Sequence, residues 1–376
     1  MLNPVRLQGI EFAAVTVNDR VTWPFALITD FQGATAVAEF KYSHAGAGFD
    51  RLLAELFGSL KGKEIEVESD VGGLLELGID RLRADFDLAT AVSALRNAVV
   101  ELQCQHAGIS MTEALGGAPA ESIALYANIN HSVYRRRDTY EFTRAAERAV
   151  EDGFDTVKCA PFDYLPLAPA SENTVEAARP GLEQVAAVRL AVGPDVQVLV
   201  DCHSRFDEHT APLIAERLAE SGIGWFEEPL QPNDDPDGLA RVTGLVAIPV
   251  AGGEGGYGEG FFADLVRDGA VDIIMPDVKH CGGVTEARRA GAAAQVAGGR
   301  TSLHGPASPI SQLAGAHVTA AIPGAMPLEY AANEAPWRTE LLTEPEHIRG
   351  GRLWFPGGTG MGTSLNLDLV ASRGTR

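Results

Sequence analysis

The spacing of apolar and polar residues changes near residue 120 and divides the chain into two patterns. Before it, residues 9–18 and 24–40 are apolar segments typical of strands, and the second contains a Gln-Gly turn. Residues 87–108 carry apolar side chains three and four positions apart and end on His-Ala-Gly, which predicts a long helix. The pattern therefore predicts an α+β domain over residues 1–120.

From residue 121 onward, short apolar runs alternate with amphipathic helical segments, as expected of parallel strands joined by helical crossovers. Each of eight runs has a polar residue at or near its end. In chain order these residues are Asn128, Lys158, Asp201, Glu227, Glu254, Asp277, His304 and Glu329. The last five intervals are 26, 27, 23, 27 and 25 residues, each the length of one strand-helix unit. The repeat predicts a (β/α)8 TIM-type barrel.

The predicted organisation is an N-terminal capping domain over residues 1–120 and a catalytic barrel over residues 121–335. Residues 336–376 are expected to return to the cap. In such barrels the active site lies at the carboxyl ends of the strands. Any one of the strand-end residues is equally explained as a solvated strand terminus, but seven ionisable side chains in seven consecutive units predict one shared site.

Three of these residues, Asp201, Glu227 and Glu254, would bring carboxylates from successive strands together. Unpaired carboxylates repel each other, and oxygen ligands suit a hard divalent cation, so the pattern indicates Mg²⁺. The alternative to a metal ion is that Lys158 and Lys279 form ion pairs with these carboxylates. Glu228 follows Glu227 directly and is expected to point to the other side of the strand, in a supporting role.

Asp277 and His304 end neighbouring predicted strands. An aspartate that accepts the Nδ1 proton of a histidine fixes its tautomer and raises its basicity, which makes His304 a candidate general acid/base. The alternative is a histidine held by its local backbone. Glu329 would orient a neighbour or donate a hydrogen bond if protonated. His203 lies two residues past Asp201, where contact with substrate and contact with solvent are both possible.

The bulk composition excludes several classes of function. The 376 residues carry a net charge of −21 with a pI of about 4.8, which disfavours nucleic acid as a partner. No apolar run approaches the length of a membrane helix, and the first residues lack the apolar core of a signal peptide. The four cysteines show no CxxC spacing. We expect a cytoplasmic protein without membrane contact.

The motifs "VDCH", "WFEEPL" and "GGE" resemble the metal-ligand strands of the enolase superfamily. "IIMPDVKHCGGVTEARR", "SLHGPASPIS" and "PLEYA" are similar to the strands that carry the Asp-His dyad and the final glutamate of its mandelate racemase-like branch. The resemblance implies a small-molecule carboxylate substrate bound to Mg²⁺ and a proton removed alpha to the carboxylate. It also implies an even-numbered homo-oligomer and a substrate specificity that is read by cap residues near Trp23 and His44, with Lys279 and His203 as further contacts.

The sequence departs from this family on the second strand. The family commonly has Lys-x-Lys there, whereas this chain has Lys158-Cys159-Ala160, and alanine cannot move a proton. Lys158 is therefore expected to stabilise charge, with Tyr164 or Asp163 as possible replacements for the missing base. A dehydratase can work from the His304 face alone, so we expect dehydration of an acid sugar to a 2-keto-3-deoxy acid. A racemase or epimerase is the alternative enzyme, and a catalytically idle ligand-binding barrel is the alternative outside enzymes.

Overall fold

The computed structural model describes residues 2–40, 48–133, 135–167 and 174–374. The first part of the chain forms a four-stranded sheet in the order β3-β2-β1-β4 with helices packed against it. Its strands are β1 (Val5–Thr16), β2 (Thr22–Asp30), β3 (Thr35–Glu39) and β4 (Glu64–Ile65). Its helices are α1 (Phe49–Leu60), α2 (Asp70–Leu74), α3 (Ile79–Ala84), α4 (Phe86–Ala107) and α5 (Met111–Ala114).

Local sequence explains the limits of these elements. Asp30 accepts hydrogen bonds from the backbone N–H groups of Gln32 and Ala34, and Gly33 has a φ of 88°, so the predicted Gln-Gly turn joins β2 to β3. The side chain of Asp85 caps α4 by accepting from the backbone N–H of Leu88. The long predicted helix is confirmed within one residue at each end.

The predicted barrel is confirmed: in the described part of the chain, eight parallel strands follow one another around a ring. They are β5 (Ser122–Asn128), β6 (Thr156–Cys159), β7 (Gln197–Asp201), β8 (Phe226–Glu227), β9 (Val250–Gly252), β10 (Ile273–Ile274), β11 (Arg300–Thr301) and β12 (Leu328–Ala331). β12 pairs with β5, and the backbone N–H of Met326 donates to Thr301 at 2.8 Å beside β11. These contacts close the ring.

Helices surround the strands and bury them on the outside. They are α6 (Thr139–Glu151), α7 (Thr174–Ala177), α8 (Arg179–Val192), α9 (Ala211–Ala219), α10 (Pro236–Thr243), α11 (Glu259–Arg267), α12 (Val284–Val296) and α13 (Pro309–Ala321). A small apolar cluster that includes Tyr126, Leu199 and Trp225 fills the barrel interior. The barrel is therefore a packed core, and its chemistry is confined to the rim.

The last residues form a 3₁₀ helix (Arg338–Leu341), the hairpin β13 (His347–Arg349) and β14 (Arg352–Trp354), and α14 (Leu367–Arg373). β14 runs antiparallel to the start of β5. Beyond it, the backbone N–H of Met361 donates to Glu101 on α4, and Gly374 bridges to Val15 on β1. The carboxyl-terminal segment thus contacts both barrel and cap.

The cap is also held over the carboxyl ends of the strands. Glu39, at the end of β3, accepts hydrogen bonds from the backbone N–H and the hydroxyl of Ser308, the residue that caps α13. None of the helices within the described ranges combines the length and the apolar character that a bilayer crossing requires.

Candidate active site

Lys158 lies at the centre of a carboxylate network at the carboxyl ends of the strands. Its Nζ donates to Glu227 Oε1 at 2.6 Å and lies 2.6 Å from Glu329 and 3.6 Å from Asp201. Lys158 is fully buried. Burial disfavours its charge, but Glu227 and Glu329 outweigh this and raise the pKa of Lys158 well above its usual value. These contacts favour the charged ammonium form of Lys158.

The two carboxylates beside Lys158 are held by further donors. Trp225 Nε1 donates to the second oxygen of Glu227 at 2.9 Å, and Asn128 Nδ2 donates to Glu329 at 2.7 Å. Burial raises the pKa of Glu227 well above its usual range, and the nearby Asp201 adds to this. The burial and crowding of carboxylates at this point therefore favour the neutral form of Glu227.

His304 and Asp277 are in direct contact. Asp277 Oδ2 accepts from His304 Nδ1 at 2.8 Å, which leaves Nε2 directed at Glu254 Oε2, 3.0 Å away. Burial opposes ionisation of Asp277, but Lys279, His280 and His304 prevail and lower its pKa well below the usual value. Burial likewise lowers the pKa of His304, and Glu254 and Glu329 overcome this and raise it. The tautomer and orientation are those required of a general acid/base.

His203 occupies an unusual backbone conformation at the end of β7. It has a φ of 43° and Ser204 a φ of 56°, both in the left-handed region that side chains other than glycine disfavour. Its Nε2 lies 3.0 Å from Asp201 and its Nδ1 lies 2.5 Å from Asp163, which itself pairs with Arg137. Asp201 raises the pKa of His203 well above its usual value. The strained turn aims an imidazole at the mouth of the barrel.

A cavity of about 550 Å³ lies between the cap and the strand ends, within the size range of small-molecule sites. The cap and the barrel both line it. The lining residues are Arg20, Val21, Thr22, Trp23, Glu39, Phe40, His131, His203, Glu254, Asp277, Lys279, His304, Pro306 and Glu334. The cavity therefore brings carboxylate, imidazole and cationic side chains together.

The structure separates the sequence-predicted residues into two layers. Trp23, His203, Glu254, Asp277, Lys279 and His304 line the cavity. Lys158, Asp201, Glu227 and Glu329 are buried in the network beneath. His44 lies outside the described residues. Tyr164 is half exposed, and its hydroxyl donates to the carbonyl of Ala177, so it does not line the cavity.

Glu228, predicted to have a supporting role, and Lys279, predicted to contact substrate, both have specific contacts. Glu228 is buried and accepts from the backbone N–H groups of Gly253 and Glu254, so it holds the start of the loop after β9. Lys279 Nζ forms an ion pair with Asp277 Oδ2 at 3.1 Å, and within the described part of the chain it has no further polar partner. The buried Lys279 ammonium thus keeps donors free beside the cavity.

The strand-end carboxylates fit a hard divalent cation by donor type and by charge. Asp201, Glu227 and Glu254 offer only oxygen ligands, as Mg²⁺ prefers. Together with Glu329 they contact one lysine and two histidines, so the four carboxylates outnumber these three cationic groups when all of them are ionised.

These same carboxylates are turned toward nitrogen atoms. Asp201 pairs with His203, Glu227 with Lys158 and Glu254 with His304. Within the described ranges, no three His, Cys, Asp or Glu side chains are grouped closely enough to hold a metal ion. Coordination would therefore require these nitrogen partners to be displaced.

The sequence pattern did not single out four acidic or basic groups of the cavity: Arg20, Glu39, His131 and Glu334. Glu39 comes from the cap. His131 lies three residues after Asn128, at the end of the first barrel run. Glu334 lies five residues after Glu329, at the end of the last run. The signal available was a second polar residue shortly after each strand-end residue, as with His203 after Asp201.

Comparisons with known proteins agree with this architecture. A family model described as "Enolase C-terminal domain-like" matches residues 141–369, more than half of the chain. D-gluconate dehydratase of Thermoproteus tenax is 31% identical over 287 residues, a match that spans 76% of this chain but only 56% of that protein. D-galactarolactone cycloisomerase of Agrobacterium fabrum is 30% identical over 294 residues, covering 75% of this chain and 73% of that protein.

A solved structure described as mandelate racemase/muconate lactonizing enzyme from Jannaschia sp. CCS1 superposes on this chain with a TM-score of 0.84. The superposition covers 99% of this chain and 98% of that one, at 22% sequence identity. This likeness shows that the two chains share the whole two-domain fold.

Proposed function

Because this chain belongs to the enolase superfamily, in its mandelate racemase-like branch, we propose that it is an acid sugar dehydratase. The substrate is a polyhydroxy carboxylate, and the product is a 2-keto-3-deoxy acid. Relatives named as dehydratases of D-gluconate and cycloisomerases of D-galactarolactone support this class of substrate.

The proposal is carried by one observation, the His304–Asp277 pair at the wall of the cavity. His304 Nε2 accepts the proton alpha to the carboxylate, and the electron pair of that C–H bond passes into an enediolate. The imidazolium then returns the proton to the departing β-hydroxyl, which leaves as water. The enol that remains tautomerises to the 2-keto acid. Asp277 keeps the imidazole in the tautomer that this cycle requires.

Charge on the enediolate is stabilised from two sides. Lys279 lines the cavity with free donors and binds the substrate carboxylate. Lys158 beneath it acts through the electrostatic field of the network and does not itself accept the alpha proton, because an ammonium ion has no basic site. Mg²⁺ held by Asp201, Glu227 and Glu254 would neutralise charge on the carboxylate oxygens as the alpha proton leaves.

A racemase or epimerase is the second candidate, and the position of His203 favours it. β7 and β11 are four strands apart in the eight-stranded ring, so His203 and His304 approach the cavity from opposite sides. Two proton-transfer groups on opposite faces of one carbon are what inversion requires. The missing lysine at Ala160 therefore does not by itself restrict proton transfer to the His304 face.

The two candidates differ in the product that appears in D₂O. We expect a panel of five- and six-carbon acid sugars with Mg²⁺ to yield a 2-keto-3-deoxy acid, detected with a carbonyl reagent. Recovered substrate that is deuterated and inverted, without any keto acid, would replace the dehydratase with an epimerase. The absence of turnover and of deuterium exchange on every acid would favour an idle ligand-binding barrel.

The role of His304 is tested in the same assay. His304→Asn should lower kcat by about 10²–10⁴-fold, the usual contribution of a general acid/base. His347→Asn is the matched control, since His347 is an exposed residue on β13 at the opposite end of the barrel. Near-normal turnover by His304→Asn would show that another group moves the proton.

A further inference from the structure

We infer that Glu334 selects acid sugars whose far end carries a hydroxyl group over those that end in a second carboxylate. This inference rests on the proposed function and names its substrate class: aldonates, with one carboxylate, in preference to aldarates, with two.

Glu334 is held beside the cavity by a hydrogen bond with His131. It follows β12, and its Oε1 accepts from Nδ1 of His131, which follows the neighbouring β5, at 2.7 Å. The Glu334 side chain is only 1% exposed, whereas that of His131 is 25% exposed. The second oxygen, Oε2, is buried and has no hydrogen-bond partner in the described part of the chain.

A buried carboxylate oxygen without a donor is costly, and native proteins seldom keep one that serves no purpose. Both Glu334 and His131 line the cavity. A bound ligand can therefore supply the hydrogen-bond donor that Glu334 Oε2 lacks.

The place of this pair in the ring sets which part of a ligand it meets. Glu334 follows β12 and His131 follows β5, and the strands opposite these two in the ring are β8 and β9. Glu227 ends β8, Glu254 lies two residues past β9, and Lys279 follows β10, next to β9. An acid sugar whose carboxylate is bound between Lys279 and the ends of β8 and β9 directs its far end across the ring toward Glu334.

The chemistry of Glu334 then distinguishes two kinds of far end. A hydroxyl group donates to a carboxylate oxygen, and such charge-assisted bonds are stronger than neutral ones. A second substrate carboxylate has no proton to donate and is repelled. Arg338 interacts with Glu334 electrostatically, but within the described part of the chain it forms no ion pair with it; its guanidinium donates to Glu346 and to the carbonyl of Ala307.

Arg20 is the opposing feature of the cavity. It belongs to the loop before β2, lines the same cavity and would attract a second carboxylate. Unlike Glu334 it is solvent-exposed, so water screens its charge. We therefore expect the buried Glu334 to dominate the selection.

The test compares acids that differ only at the last carbon. D-gluconate is paired with D-glucarate, and D-galactonate with galactarate. Binding of all four is measured by calorimetry with Mg²⁺, using the His304→Asn protein as the reference so that no ligand is consumed. Glu334→Gln is added to it because glutamine preserves the shape and removes the charge. Glu147→Gln, on the exposed face of α6, is the matched control.

In the reference protein, at least one aldonate should bind about 10-fold or more tightly than its aldarate partner. Glu334→Gln should weaken binding of the aldonate by about 10–100-fold, the range for loss of a hydrogen bond to a charged group. The aldonate and its aldarate partner should then bind with similar affinity. Glu147→Gln should leave the ratio unchanged. The melting temperature of Glu334→Gln should change little, because the glutamine oxygen still accepts from His131 and the carboxylate oxygen without a donor has been removed.

Three results would overturn the inference. An unchanged affinity ratio in Glu334→Gln would make Glu334 a structural anchor for His131, most clearly if the melting temperature also fell. A preference for the aldarate that Arg20→Gln abolishes would assign the selection to Arg20. If no acid of either pair bound, this inference would fail, and the proposed function would stand only if the wild type turned over a five-carbon acid of the panel. If the enzyme turned over an aldonate or its aldarate partner and Glu334→Gln did not change the preference between them, the proposed function would stand without this inference.

Discussion

At the scale of single residues, Lys158 shows how a site residue can also be a structural one. Its ammonium is fully buried and within 2.6 Å of both Glu227 and Glu329. The ring of Tyr126 lies on another side, 5.8 Å from Nζ. Removing the lysine charge would therefore leave two carboxylates buried without their cation.

We predict that Lys158→Met destabilises the fold by roughly 3–5 kcal/mol, the usual cost of removing one partner from a buried ion pair, and abolishes turnover. Denaturant unfolding followed by circular dichroism measures the first effect. Lys61→Met is the control: Lys61 is exposed in the cap, and its substitution should change stability by less than about 0.5 kcal/mol. A Lys158→Met protein as stable as the wild type would show that the network does not depend on this charge.

At the scale of elements, the carboxyl-terminal segment is joined to α4 through one buried carboxylate. Glu101 accepts from the backbone N–H of Met361 and from Gln105, both at 2.9 Å. Gly360 has a φ of 61°, and a Cβ there would lie 2.1 Å from Glu101 Oε1, so only glycine fits. Burial raises the pKa of Glu101 to about 7, since the hydrogen bonds do not fully compensate for lost hydration.

This raised pKa predicts a pH-dependent stability. The folded protein binds the Glu101 proton more tightly than the unfolded chain, so the contribution of Glu101 to stability is lost as pH rises through about 7. We expect Glu101 alone to lower the free energy of unfolding by about 2 kcal/mol between about pH 5.5 and 8.5.

Comparison of variants isolates this contribution. Glu101→Gln keeps an acceptor for Met361 and should flatten the pH profile, whereas Glu55→Gln, an exposed residue of α1, should retain the wild-type profile. Unfolding curves at several pH values provide the measurement. Identical pH profiles for wild type and Glu101→Gln would mean that Glu101 titrates alike in the folded and unfolded chains.

At the scale of the whole molecule, the cap and barrel enclose an acidic mouth on a chain whose net charge is already −21. A divalent cation bound among the carboxylates around Lys158 would relieve their mutual repulsion and stabilise the folded protein. A ligand that binds only the folded state stabilises it by about 2.7 kcal/mol at a concentration 100 times its Kd.

We therefore predict that Mg²⁺ raises the melting temperature and that chelation lowers it. Asp201→Asn and Glu254→Gln should abolish the Mg²⁺-dependent shift and the activity while preserving the far-ultraviolet circular dichroism. Asp264→Asn, on the exposed face of α11, should behave as wild type. Full activity after exhaustive chelation would exclude a metal role for these carboxylates.

The sequence by itself determined the barrel and the chemical types at its mouth. Parallel strands in a barrel all end at one face, so a polar residue at the end of each apolar run has a predictable place. This is why the pairing of Asp277 with His304, 27 residues apart and on neighbouring strands, could be expected before the fold was seen. The cap was predictable in outline for a similar reason, since its long helix and its turn are encoded locally.

Only the tertiary structure decided which of these groups face the cavity. Lys158 contacts Glu227, 69 residues away, and Asn128 contacts Glu329, 201 residues away, and these contacts place Glu227 and Glu329 below the cavity floor. The orientation of His203 depends on a left-handed turn, and the position of Glu334 depends on ring closure between β12 and β5. Local pattern cannot encode such contacts, because their energies arise from groups that meet only when the ring closes and the cap is in place.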